Sequence, residues 1–431
     1  AALAGDEHYR DYYVWRDPGP DGGPPNNWVS NFGGPAWTLD ERSGQYYMHL
    51  FLPEQPDLNW ANPAVRDEFD RILAFWFERG VDGLRIDVAH SLTEDPAFRD
   101  NPLKGDPPAP HAHPSEVWEA YEHRHDQDQE DVLDVYRRWN GIAGEHDAFL
   151  VGEVYLLEPS RLTRYVRGGD GLHSSFAFPA LRTDWDAHDI RSTLAACVAA
   201  GAGALSWPLS SHDDPHAATR FGGGARGARR QLAYLTLLCA LPGVPFLFQG
   251  DELGLENGLV DPSRAADPVT TRNAGAPGRD GSRTPMVWEP GPGFGFTDGE
   301  PWLPFGDNRR DADTVAAQLD DPSSHLARTR RLLAVRRELA GAWSADDADA
   351  VAWLDAPTDV VALRRGAVVV VVNAGPSGAR CPLPAGDAGW DVRYVSAGPE
   401  PRVDDDAWVV VAPDTAVLLV SGRPPRPRRP R

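Results

Sequence analysis

Lysine is nearly absent from this 431-residue chain: Lys104 is the single lysine among 42 Lys and Arg residues. Methionine is also scarce at 2, while Gly reaches 42 and Pro 40. Together these biases reflect the coding preference of a GC-rich genome rather than a function. Cysteine is present 3 times, at Cys197, Cys239 and Cys381, far apart and in apolar surroundings. That spacing excludes a zinc site and a disulfide framework, and it predicts buried free thiols in a reducing compartment. No apolar run approaches membrane-spanning length and no signal-peptide pattern is visible, so a cytoplasmic protein is expected. Positive charge is in deficit as well. The net charge of −22 argues against nucleic acid and anionic membranes as partners. Nothing in the sequence fixes an oligomeric state.

What the chain does hold is aromatic mass, with 15 Trp, 15 Phe and 11 Tyr. These supply core material and suit stacking against sugar rings. The length predicts more than one domain. Residues 1–62 read as an irregular β-hairpin region. An amphipathic helix follows near 63–79, with Asn62 as N-cap, Pro63 at the first position and Gly80 closing it. Strand-like runs at 83–89, 149–154, 174–178, 204–210 and 244–249 alternate with helical stretches near 130–146, 186–200, 226–241 and 323–340. That alternation predicts an α/β fold with parallel strands and crossover helices, a (β/α) barrel or a doubly wound sheet. The stretches 95–115 and 251–310 read as long loops. After about residue 345, short β-rich runs split by Gly, Pro and Asp predict a small antiparallel β domain over 345–422. The Pro/Arg tail at 423–431 is expected to be disordered.

Gly83-Leu84-Arg85-Ile86-Asp87-Val88-Ala89-His90 carries the chemistry. Arg85 and Asp87, two apart on a strand, should share a face. The guanidinium would keep Asp87 charged in a buried setting, as a nucleophile at a strand's C-terminal end requires. A structural ion pair at a strand end fits the same eight residues. Two further acids end strands: Glu153 in Val151-Gly152-Glu153-Val154, and Asp213 in Ser211-His212-Asp213. Singly, each fits a helix cap or a surface charge. Together they point to a shared face, because acids at the ends of adjacent strands can lie about 5 Å apart, the spacing of a retaining glycosidase pair.

With these motifs in view, the chain resembles glycoside hydrolase family 13, the α-amylase superfamily, in its α-glucosidase and oligo-1,6-glucosidase branch. Gln55-Pro56-Asp57-Leu58-Asn59 is similar to the family's signature in the domain inserted after the third barrel strand. Gly83–His90, Gly152-Glu153-Val154 and Ser211-His212-Asp213 are similar to its nucleophile, acid/base and stabiliser motifs. Gly243-Val244-Pro245 with Gln249–Gly254 resembles the eighth strand, and Arg279-Asp280-Gly281 with Arg283-Thr284-Pro285-Met286 resembles the loop after it. The resemblance implies Asp87 as nucleophile, Glu153 as general acid/base and Asp213 as transition-state stabiliser. It implies that Arg85 orients Asp87, that His212 bonds sugar hydroxyls and that Arg283 binds the terminal glucose. Phe51 and Phe32 would form aromatic walls at the scissile bond; ordinary core phenylalanines fit them equally.

The implied activity is exo-cleavage of short α-glucooligosaccharides, α-1,4 and/or α-1,6, with Val88 leaning towards α-1,6. No cofactor and no metal are expected. Transglycosylation or isomerisation of the trehalose synthase type, and a non-catalytic interaction module, are the alternatives. Ser211 and His216 stand where the family usually carries Asn and Arg. The implied architecture is a partial (β/α)8 TIM barrel, about strands 4 to 8, over 63–344, with part of inserted domain B at 1–62 and a C-terminal β-sandwich at 345–422. Five strands cannot close an eight-stranded barrel. The family's Asp-x-x-x-Asn-His element is not found, so the chain is expected to be the C-terminal part of a longer polypeptide, or the product of a truncated reading frame, and weakly active or inactive alone.

Overall fold

A computed structural model describes residues 1–109, 112–166, 168–272, 278–343, 350–385 and 389–422. The expected tail at 423–431 and the expected domain boundary near 344 lie outside the described residues. The chain divides into two compact units. The first holds Ala1–Tyr155, Arg164–Ser175 and Ala266–Gly278, and the second holds Leu156–Thr163, Phe176–Ala265 and Arg279–Arg431.

In the first unit, β1 (Trp15–Arg16), β2 (Trp37–Asp40) and β3 (Gln45–Met48) form an antiparallel sheet in the order β1-β3-β2. Trp28, Trp37, Met48 and Leu50 are buried in the cluster beneath it. Helix α1 (Pro63–Phe77) starts as the sequence predicts. The Asn62 side chain accepts from the Ala64 N–H, and Pro63 occupies the first turn, where no intrahelical donor is needed. Gly80, at φ 86, ends the turn that follows. Strand β4 (Gly83–Ile86) pairs in parallel with β5 (Phe149–Gly152), and helix α2 (Asp131–Glu145) precedes β5. The two helices lock together through Trp60, Phe69 and Trp139, the last two stacked at 6.1 Å between centroids. Strand β6 (Ser174–Phe176) continues the parallel register beside β5.

β4 stops at Ile86, three residues short of the run read from sequence. Val88 sits at φ 43, a conformation that a β-branched side chain resists and that no strand contains. The chain therefore turns out of the sheet directly after Asp87.

In the second unit, helix α3 (Ala187–Gly201) leads to β7 (Leu205–Pro208), and helix α4 (Gly224–Leu238) leads to β8 (Val244–Phe246). β7 and β8 pair in parallel, Ser206 opposite Val244. All five predicted parallel strands are thus present with shorter bounds. A short helix, Ala217–Arg220, lies against the start of α4, and the contact admits no side chain. A Cβ added at Gly227 would stand 2.1 Å from the Ala218 carbonyl oxygen. Gly227→Ala is therefore expected to cost about 1–3 kcal/mol, read as a lowered urea midpoint at unchanged m-value.

Helix α5 (His325–Glu338) begins at Ser324, whose hydroxyl accepts from the Ala327 N–H. Beyond it come β9 (Val351–Trp353), β10 (Val360–Arg365), β11 (Val368–Asn373), β12 (Ala379–Pro382), β13 (Trp390–Val395), β14 (Trp408–Val411) and β15 (Thr415–Ser421). Five form an antiparallel sheet, order β13-β15-β11-β10-β9, and β12 pairs with β14. Val369, Val371, Val417 and Leu419 of the larger sheet share one buried cluster with Cys381, Val409 and Val411 of the smaller. Asp414 ties this β region to the helices before it. Its buried carboxylate accepts from Trp185 at 3.0 Å, Arg230 at 2.7 Å and Arg226 at 2.8 Å.

Candidate active site

Strands β4 and β5 end side by side, which brings Asp87 and Glu153 to one edge of the first unit. The Glu153 N–H donates to the Ile86 carbonyl at 2.9 Å, and its own carbonyl accepts from Ala89 at 2.9 Å. The two chain ends are therefore pinned together by backbone. Between the carboxylates lies Arg85. Its Nη1 donates to Asp87 Oδ1 at 2.6 Å, and its Nη2 donates to Glu153 Oε2. One guanidinium bonded to both acids limits how far apart they can stand. Arg85, expected to orient Asp87, bonds Glu153 as well.

One expectation needs correction. Asp87 is not buried, since 71% of its side chain is open, while only 11% of Glu153 is. Arg85 therefore orients Asp87 without having to offset a desolvation cost. The reason is local: the chain leaves the sheet at Ile86, so Asp87 projects beyond the last paired residue.

A cavity of about 480 Å³ opens at Asp87 and Arg85, with Phe51, Asp57, Trp60 and Trp76 among its walls. Phe51 lines it and also packs on the cluster under β1–β3. Phe32 meets Phe51 edge to face at 5.7 Å. Asp57, quoted only as part of a motif, proves to be an anchor. Its Oδ2 accepts from the Leu50 N–H at 2.6 Å, fixing the turn that delivers Phe51.

Burial pushes the Asp57 carboxyl up to about 7, against the pull of the Leu50 N–H. Glu94 is also pushed upward, by burial first and then by Asp57. A carboxyl raised in the folded state keeps a proton that the unfolded chain has released. Its stabilising effect is complete below about pH 4 and is lost as pH rises to about 7. Asp57→Asn keeps an oxygen for Leu50 and removes the charge. The variant is expected to gain stability over wild type at about pH 8 and little at about pH 4. Urea titrations at both values would show it, and an unchanged pH slope would refute it.

In the second unit, the loop after β7 carries His212 and Asp213. The Ser211 hydroxyl accepts from the N–H groups of Asp213 at 3.1 Å and Asp214 at 2.9 Å, so the serine here still shapes the turn. Two arginines grip Asp213 Oδ1: Arg279 Nη1 at 2.8 Å and Arg283 Nη2 at 2.7 Å. Arg283 Nε also donates to the His212 carbonyl at 2.8 Å, and His212 Nε2 lies 3.2 Å from Asp213 Oδ2. His212, Asp213 and Arg283 are thus brought together. Arg279 was not singled out from sequence, because its partner lies 66 residues away; the quoted Arg279-Asp280-Gly281 run was the available signal. His216, buried beside Asp251, holds its Nδ1 3.6 Å from that carboxylate.

Among the described residues, no group of three or more His, Cys, Asp or Glu side chains is placed to hold a metal ion. Among them, too, no helix is long and apolar enough to cross a membrane.

In the first unit two acids close adjacent parallel strands and share one arginine; in the second an aspartate is clamped by two arginines. The α-amylase catalytic-domain model matches residues 2–342. A probable alpha-glucosidase of Rhizobium meliloti is 37% identical over 339 residues, covering 76% of this chain and 61% of its own length. Trehalose-6-phosphate hydrolase of Escherichia coli is 34% identical over 378 residues, with coverages of 78% and 64%. Oligo-1,6-glucosidase of Halalkalibacterium halodurans is 32% identical, with coverages of 77% and 63%. Among solved structures, the alpha-glucosyl transfer enzyme XgtA superposes with a TM-score of 0.84 at 32% identity, covering 96% of this chain and 77% of that one.

These matches define a family of glycoside-cleaving proteins as the class to which the chain is similar. The chain belongs to the α-amylase family, glycoside hydrolase family 13, and shares its fold class of TIM barrel and C-terminal β domain. The chain spans between 61% and 64% of the length of these curated relatives.

Proposed function

We propose that the protein is a retaining α-glucosidase acting exo on short α-glucooligosaccharides. In the first step Asp87 attacks the anomeric carbon while Glu153 protonates the departing glycosidic oxygen. In the second, Glu153 takes a proton from water, which displaces Asp87 and releases α-glucose. The observation that carries this reading is the single Arg85 guanidinium bonded to both carboxylates. A retaining pair stands about 5–5.5 Å apart, whereas an inverting pair needs about 6.5–9.5 Å for an intervening water. Arg85 occupies Oε2 of Glu153, which leaves Oε1 as the oxygen to carry the transferable proton.

Asp213 is assigned the stabiliser role by its motif, and its two arginines support a carboxylate held in a fixed position. Arg283 and His212 bind the terminal sugar, while Phe51 and Phe32 flank the bond that breaks. Substrate is the only partner assigned, and three buried, unpaired thiols fit a reducing cytoplasm. The similarity to an alpha-glucosyl transfer enzyme favours a second reading, in which a sugar hydroxyl replaces water in the second step.

Proton NMR during turnover of maltose, isomaltose and sucrose tests both. α-Glucose as the first-formed anomer is expected from maltose or isomaltose. β-Glucose as the first product would refute retention, and new disaccharides without free glucose would favour transfer.

A further inference from the structure

Asp251 lies where no substrate reaches, at 0% exposure, yet it governs the loop that presents Asp213. Among the described residues no arginine or lysine pairs with it. Three hydrogen bonds hold its carboxylate instead. Oδ1 accepts from the Ser210 hydroxyl at 2.6 Å and from Gln231 Nε2 at 3.0 Å, and Oδ2 accepts from the Phe248 N–H at 2.8 Å. The Ser210 hydroxyl in turn accepts from the Ala217 N–H at 2.8 Å. One buried acid thereby closes both ends of the segment 211–216. Inside that segment the Ser211 hydroxyl sets the backbone of Asp213 and Asp214, and the His216 N–H is bonded to Asn257 Oδ1 at 2.8 Å.

We propose that Asp251 is a positioning residue for the reaction: through the Ser210 hydroxyl it fixes the loop that aims the Asp213 carboxylate. The inference rests on the glycosidase reading above and adds to it two residues that no substrate touches. The physical ground is preorganisation. A carboxylate meant for charge that develops only in the transition state must be held in place before that charge appears. The Asp213 side chain is clamped by Arg279 and Arg283, but its backbone depends on the ends of its loop. Asp251→Asn offers one oxygen where Ser210 and Phe248 each need an acceptor, so one of them loses its partner.

The test compares wild type with Ser210→Ala, Ser210→Thr and Asp251→Asn, counting active sites by titration. Rates on an aryl α-glucoside, melting temperature, and affinity for glucose and for deoxynojirimycin, a cationic transition-state mimic, are measured for each. Ser210→Ala and Asp251→Asn are expected to lower kcat per active site about 10- to 100-fold. Deoxynojirimycin should weaken by a similar factor, while glucose affinity stays within about twofold. Ser210→Thr, which keeps the hydroxyl, should recover most of the rate. If Asp251→Asn does not fold, Ser210→Ala decides. A lowered melting temperature with kcat per site unchanged, or equal weakening of both ligands, overturns the inference. A wild type that neither turns over the glucoside nor binds deoxynojirimycin removes the glycosidase reading and this role with it; a wild type that does either, with unchanged variants, removes this role alone.

Discussion

Asp87→Asn is expected to lower kcat on α-glucosides by roughly ten-thousand-fold or more, the scale of losing a covalent nucleophile. It should do so while leaving the fold nearly untouched. The Asp87 side chain is 71% open and pairs with Arg85 at 2.6 Å. An exposed pair of this kind contributes about 0–1 kcal/mol. A thermal melt close to wild type beside a collapsed rate is therefore the expected combination. Arg85 keeps Glu153 as a partner in the variant, so that side chain should not swing free. A variant retaining more than a few per cent of the wild-type rate would remove Asp87 from the role.

Glu153→Gln should behave differently, because a general acid matters in proportion to how badly the leaving group needs a proton. On maltose, with a poor leaving group, a loss of about 10²- to 10⁴-fold is expected. On an aryl glucoside with an acidic phenol, the first step proceeds without protonation and the loss should be much smaller. The second step then stalls for want of a base. Azide, which needs none, should restore turnover and yield the α-glucosyl azide. Equal losses on both substrates with no azide effect would show that Glu153 serves only to hold Arg85. The backbone pinning of residue 153 to Ile86 and Ala89 does not involve the side chain, so the exchange leaves the strand ends in place.

Much of this was legible in the sequence wherever local chemistry decides structure. Asn62-Pro63 announced a helix start, and the strand-like runs at 83, 149, 174, 204 and 244 announced the parallel strands. The C-terminal β region showed itself by its change of rhythm near residue 345. Strand ends were less legible. The run Gly83–Ala89 looks continuous, but Val88 takes a left-handed conformation set by its surroundings, not by its own preference.

The site divided along the same line. Asp87, Glu153 and Asp213 stand in motifs with local signatures. Arg279, Asp57 and Asp251 act through partners that only the folded chain brings near. The exposure of Asp87 was hidden for the same reason, since burial is a property of neighbours distant in sequence.

The central claim is that Asp87 becomes covalently glucosylated during turnover. The most direct measurement is to treat the protein with 5-fluoro-α-glucosyl fluoride, which forms the intermediate and slows its hydrolysis, and to map the adduct by peptide mass spectrometry. The account predicts one added fluoroglucosyl group on the peptide containing Asp87, absent in Asp87→Asn and released on adding maltose. A label on another residue, or turnover of the reagent with inversion and no adduct, would contradict it.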